Sequence, residues 1–133
     1  MSARLIAGLR VSALLFASGS FAAQPALDGS FQSAQRFMEK DGEAVFKNVC
    51  AACHMPNAQG VAGAARYPAL AGNPKLASAA YPVFMVVNGR GAMPPLAQFL
   101  NDDQIAGVVN YVRTHFGNAY KDSVSSADVN AVR

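Results

Sequence analysis

The chain has no tryptophan, only two cysteines and two histidines, and few charges, at 14% of its 133 residues. Each shortage excludes something. Without tryptophan and with few β-branched runs, little points to a sheet. The alanine-rich background favours short, closely packed helices, so the fold class reads as all-α. Two cysteines cannot build a disulfide-dense scaffold. A four-ligand zinc site is disfavoured, because only His54 and His115 accompany the two thiols. The basic residues are scattered singly, with no basic run and no aromatic–basic interleaving. That argues against nucleic-acid binding and reads as an ordinary solvated surface. Beyond the first residues no apolar stretch is long enough to cross a bilayer, so no membrane span is expected in the mature chain. No internal repeat is evident. The length suits one small domain.

What is present is the run Cys50-Ala51-Ala52-Cys53-His54. The pattern C-x-x-C-H is that of a c-type haem attachment site. Thiols three positions apart lie on roughly one face of a helical turn, within reach of the two vinyl groups of one haem. His54 follows at once, with an imidazole for the iron. The competing readings are a Cys50–Cys53 disulfide and a thioredoxin-like redox pair. The second requires a βαβ unit, which is not visible. A second C-x-x-C-H is absent, so one haem c is expected.

Residues 1–23 read as a secretory signal peptide. Arg4 and Arg10 form a positive start, Val11 to Ala17 a short apolar run, and Ser20-Phe21-Ala22 a small-residue cleavage region. An uncleaved anchor is the alternative. Export matters because thioether formation is normally completed outside the cytoplasm. Removing Arg4 and Arg10 lowers the formal charge from +3 to +1. Two haem propionates bring the holoprotein to about −1. Residues 24–40 read as a tether in which Phe31 and Phe37 are candidates for packing on the domain edge.

The domain is expected over 41–117. Asp41 is a candidate N-cap for a first helix to Val49, with Val45, Phe46 and Val49 at helical spacing. Asn57 to Gly72 reads as a loop containing Tyr67-Pro68-Ala69-Leu70. A liganding imidazole usually donates its other N–H to a carbonyl, for which Pro68 is the candidate. Leu70 is a candidate wall on that side, and Arg66 and Tyr67 are candidates for a propionate. A plain turn explains the same residues. Asn73-Pro74 opens a short helical piece. A better helix spans Pro82 to Val87, with Val83, Phe84, Val86 and Val87 as core and Gly89 as its cap.

Gly89-Arg90-Gly91-Ala92-Met93-Pro94-Pro95 follows. The glycines allow close backbone approach to a flat body, and the prolines stiffen the segment. Met93 is therefore the candidate sixth ligand. Met55 adjoins His54, Met38 lies in the tether, and Met85 reads as packing. A core gap-filler is the bland reading of Met93 itself. The clearest helix runs from Asn101 to about Phe116. Its capping box pairs Asn101 with Gln104, and Leu100 and Ile105 suit a hydrophobic staple. Ile105, Val108, Val109, Val112 and Phe116 form its apolar face. Gly107 suits a close crossing onto Gly42 and Phe46. His115 offers a bis-histidine alternative to Met93. Residues 118–133 read as a C-terminal tail, with Ser125 or Ser126 capping a final turn.

From Gly42 onward the sequence resembles the class I c-type cytochromes, on Gly42, Phe46, the C-x-x-C-H run, Tyr67-Pro68-Ala69-Leu70, the Met93 loop and the final helix with Tyr111. It is most similar to periplasmic cytochromes that serve bacterial dehydrogenases. The resemblance implies three main helices wrapped around one covalent haem. It implies a periplasmic electron carrier, not an enzyme, drawing on a dehydrogenase and passing electrons to a cytochrome or terminal oxidase. Two alternatives remain: a fixed electron-transfer subunit of a dehydrogenase complex, and a haem enzyme or sensor with a displaceable sixth ligand. The residues flanking the ligands, Ala51, Ala52, Met55, Pro56, Ala92 and Pro94, suggest a mainly apolar docking ring with weak electrostatic steering.

Overall fold

The computed structural model describes residues 37–63 and 66–133. The expected signal peptide, most of the expected tether and Phe31 lie outside the described residues. Among the described residues there is no sheet; two isolated bridges, Val61 with Tyr67 and Arg90 with Met93, are all the strand-like pairing present. The domain is all-α.

Asp41 begins the first helical run. Its carboxylate accepts from the Ala44 N–H at 2.7 Å, the expected N-cap. The run is continuous but changes pitch: α1 (Gly42–Val45), a π-helical segment (Phe46–Cys50), then α2 (Ala51–His54). It therefore continues past Val49, where the sequence pattern ended it, and carries the whole C-x-x-C-H run. A wide turn of this kind alters the angular spacing of the side chains that follow, and such turns recur at functional sites.

A 3₁₀ turn (Pro74–Ala77) follows, opened by Asn73, whose side chain accepts from the Lys75 N–H. Next come α3 (Ala80–Asn88) and α4 (Asp102–Thr114). In α3, Val83, Val86 and Val87 are buried, but Phe84 is 53% exposed. The expectation that Phe84 belongs to the core fails: Val83, Val86 and Val87 already fill the inward arc, and Phe84 lies off it. α4 starts at the reciprocal capping box of Asn101 and Gln104, both bonds at 2.9 Å. It ends two residues before Phe116, because His115 is already extended and Phe116 and Gly117 take positive φ.

α1 and α4 cross where both carry glycine. A Cβ on Gly42 would lie 2.1 Å from the Gly107 carbonyl oxygen, so the backbones touch. Phe46 fills the adjacent space and packs on Phe116, ring centres 4.7 Å apart. The core is Val45, Phe46, Leu76, Ile105, Val108 and Val109 with their neighbours. Each such side chain contributes roughly 1.5–3 kcal/mol when fully buried.

Residues 118–133 fold back onto this core. Ser125 caps α5 (Ser126–Asn130) in a capping box with Asp128, and Val124 and Val129 are buried. Asn110 bonds both the N–H and the carbonyl of Val124, each at 2.8 Å. Arg113 is fully buried. Its guanidinium donates to the carbonyls of Leu76 and Ala77 and to the carbonyl and carboxylate of Asp122. The reading of every basic residue as solvated surface is wrong for Arg113. Its charge is satisfied internally, and it joins α4 to the 3₁₀ turn and to the C-terminal stretch.

Candidate haem cleft

One cleft of about 360 Å³ opens between α2, α3, α4 and the loops around Pro68 and Met93. Cys50, Cys53, His54, Pro68, Leu70 and Met93 all line it, as do Arg66 and Tyr67. Its floor is aliphatic, from Val49, Leu76, Val86, Leu96, Val108 and Val109. Such a size and lining suit a largely apolar ligand body.

His54 is buried at the end of α2. Its Nδ1 lies 2.9 Å from the carbonyl oxygen of Pro68. A carbonyl can only accept, so Nδ1 carries a proton and Nε2 is the ring nitrogen left for a metal. That is the arrangement a metal-binding imidazole needs. The Pro68 carbonyl is brought there by the loop folding onto itself. The Gly60 N–H donates to the His54 carbonyl, and Val61 pairs with Tyr67 through two bonds of 2.9 Å. The Ala58 carbonyl accepts from both Leu70 and Ala71. A Cβ on Gly60 would sit 2.2 Å from the Tyr67 carbonyl oxygen, so this closure requires glycine. Gly60 and Ala58 carry no sequence signal for this role beyond a Gly-rich loop.

Met93 stands in a tight turn in which Arg90 and Met93 exchange backbone hydrogen bonds of 2.9 and 3.1 Å. The Leu96 N–H then anchors the loop to the Val86 carbonyl on α3. Gly89 caps α3 as expected, with φ +67 and its N–H on the Met85 carbonyl, and a Cβ there would meet the Met93 carbonyl oxygen at 2.4 Å. What approaches Gly89 is the loop's own backbone. Met85 also lines the cleft, from α3, so packing alone does not describe it. Met38 is 83% exposed. His115 does not face the cleft. It is exposed, stacked on Tyr111 at 4.1 Å, and bonded to the Tyr111 carbonyl, which removes the bis-histidine alternative.

Burial pushes the Cys50 thiol up to about 12, and the neighbouring Cys53 adds to the rise. A reactive redox pair needs the opposite shift. The two thiols form no disulfide. No Asp or Glu occurs from residue 44 to residue 101. The charged side chains lining the cleft are Arg66, Lys75 and Arg90, all exposed. An apolar floor, two free thiols, an imidazole nitrogen and a cationic rim together fit a haem with its two carboxylates. Around the cleft Ala52, Pro56, Ala92 and Pro94 are exposed, whereas Ala51 is buried in the core. The docking ring expected from sequence therefore loses Ala51, and it gains three cations at the cleft.

Residues 38–112 match the family described as cytochrome C oxidase, cbb3-type, subunit III. The chain belongs to this family of c-type cytochromes. Membership implies a covalent haem c. Among its relatives, the cytochrome is 35% identical over 108 residues to the fructose dehydrogenase cytochrome subunit of Gluconobacter japonicus. That alignment covers 70% of this chain and 22% of the relative. It is 35% identical over 107 residues to the gluconate 2-dehydrogenase cytochrome c subunit of Pantoea cypripedii, covering 69% and 24%. It is 32% identical over 100 residues to cytochrome c-552 of Thermus thermophilus, covering 62% and 73%. The cytochrome thus spans less than a quarter of the length of the two dehydrogenase subunits. The relatives are cytochrome components, which supports an electron-transfer role rather than catalysis.

Proposed function

We propose that this cytochrome carries one haem c, which Cys50 and Cys53 would hold covalently and whose iron His54 and Met93 would bind. On this reading it moves single electrons as the electron-transfer subunit of a periplasmic dehydrogenase. The observation that carries it is the His54–Pro68 bond at 2.9 Å, in a cleft lined by both thiols and by Met93. When bound, the haem supplies a one-electron ferric–ferrous couple.

The chain's own residues do the rest. Pro68 fixes the imidazole proton on Nδ1 and raises the basicity of Nε2. Met93 offers a soft thioether, which favours the ferrous form and raises the potential relative to two imidazoles. The aliphatic floor excludes water and limits reorganisation. Arg66 and Tyr67, both on the cleft lining, would meet a propionate. With His54 and Met93 both binding the iron, no position would be left for a substrate.

The subunit reading is supported by the dehydrogenase cytochrome subunits among the relatives. The electrons then pass to another cytochrome or a terminal oxidase. The likeness to cytochrome c-552, of which 73% is covered, favours a second reading, a freely diffusing carrier. Residues 1–23 act as the export signal and 24–40 as a tether in either case. The folded domain occupies 41–117, with 118–133 packed back upon it. Purification from the periplasm under mild conditions separates the two readings. A subunit elutes in fixed ratio with a dehydrogenase, and a carrier elutes alone at its own mass.

A further inference from the structure

Asn118 lies just past the end of α4 and is 7% exposed. Its amide nitrogen donates to the Leu70 carbonyl at 2.9 Å and to the Val112 carbonyl at 2.8 Å. Its amide oxygen accepts from the Asn73 N–H at 3.0 Å. The Asn73 side chain in turn donates to the Ala69 carbonyl at 2.7 Å. Three successive carbonyls are thus each taken by one side chain: Pro68 by His54, Ala69 by Asn73 and Leu70 by Asn118.

The peptide planes on either side of Pro68–Ala69 are held at both ends. Tyr67 gives its carbonyl to Val61, and the Leu70 and Ala71 N–H groups both reach Ala58. Among the described residues the Pro68 carbonyl itself has one partner, His54. Its aim is therefore inherited from its neighbours. Asn118 secures them to the C-terminal end of α4 through the Val112 carbonyl. The Gly72 N–H adds to this by donating to the Phe116 carbonyl at 3.0 Å.

We infer that Asn118 is a positioning residue that sets the strength of the His54–Pro68 hydrogen bond and, through it, the reduction potential of the iron. The inference rests on the haem reading above. Partners of a liganding imidazole tune the basicity of the ligand. A well-aimed carbonyl strengthens donation from Nε2 and favours the ferric state. Loosening it raises the potential.

The test compares wild-type holoprotein with Asn118→Leu, by redox titration and by NMR of the His54 Nδ1 proton in the ferrous state. The expected result is a higher potential, together with faster solvent exchange of that proton. Val129→Ala is the control. It removes buried volume on α5, outside the cleft lining, and is expected to leave both readouts in place. Asn73→Ala, which frees the Ala69 carbonyl, is expected to shift the potential in the same direction by less. It decides the matter if Asn118→Leu yields no holoprotein. An unchanged potential and an unchanged Nδ1 proton in these variants would overturn the inference and leave Asn118 a purely structural residue. Failure of the haem reading itself shows separately, as a wild-type protein without covalent haem.

Discussion

Gly42 and Gly107 meet backbone to backbone. A Cβ on Gly42 would lie 2.1 Å from the Gly107 carbonyl oxygen, whereas a Cβ on Gly107 would lie 3.4 Å from the Gly42 nitrogen. The contact is asymmetric, and the two substitutions should differ in sign. Gly42→Ala must push α1 off α4 and is predicted to cost at least ~1–3 kcal/mol. Gly107→Ala meets ordinary packing distances and gains up to ~1 kcal/mol of helix propensity. Denaturant unfolding of the two holoproteins measures both. Equal losses would contradict the asymmetry.

Arg113 is predicted to be among the costliest residues to replace. Arg113→Met leaves the carbonyls of Leu76 and Ala77 without their donor. Leu76 is buried, so stranding its carbonyl costs ~1–3 kcal/mol, and the shape-matched methionine recovers little of it; Ala77 is exposed, and water can replace the donor there. Asp122→Asn is predicted to change stability little near neutral pH, because its carboxylate is 65% exposed. Chemical denaturation of both variants tests the contrast.

The same pair gives a pH dependence. Hydrogen bonding from Arg113 holds the Asp122 carboxyl below its ordinary value of 3.8. Asp128 is held below 3.8 by the Ser125 side chain and N–H. A folded-state pKa that is lowered contributes stability above the unfolded value and loses it as pH falls through the folded one. Stability should therefore decline below about pH 3.8 as these carboxyls protonate. The decline should be shallower in Asp122→Asn. Acid titration followed by circular dichroism shows whether the slopes differ; parallel curves would exclude a contribution from Asp122.

The features legible in the sequence are those that close over three or four residues. The caps at Asp41, Asn101 and Ser125 and the C-x-x-C-H run are local patterns with a local physical cause. The Gly42–Gly107 crossing was legible because small residues on two amphipathic helices have few other uses. What was hidden closes over long separations. Arg113 reaches Leu76 and Asp122, Asn118 reaches Leu70 and Asn73, and Gln104 reaches back to the carbonyls of Phe37 and Glu39. A single arginine or asparagine carries no mark of being buried until its partners are known. Phe84 misled for the opposite reason: hydrophobicity alone placed it inside, and the helical phase puts it outside.

Two methionines line the cleft, and they should behave differently. Met93→Leu is predicted to abolish the weak long-wavelength band of a methionine-ligated ferric haem and to lower the potential. Met85→Leu keeps the volume and is predicted to change stability by less than ~1.5 kcal/mol, with the band retained. The reverse pattern would make Met85 the ligand.

The most direct measurement is the intact mass of the exported, purified protein under denaturing conditions, compared with Cys50→Ala, Cys53→Ala and the double variant. The account predicts one haem retained covalently by the wild type and none by the double variant. A wild-type chain that releases all its haem on denaturation, or carries none, would contradict it.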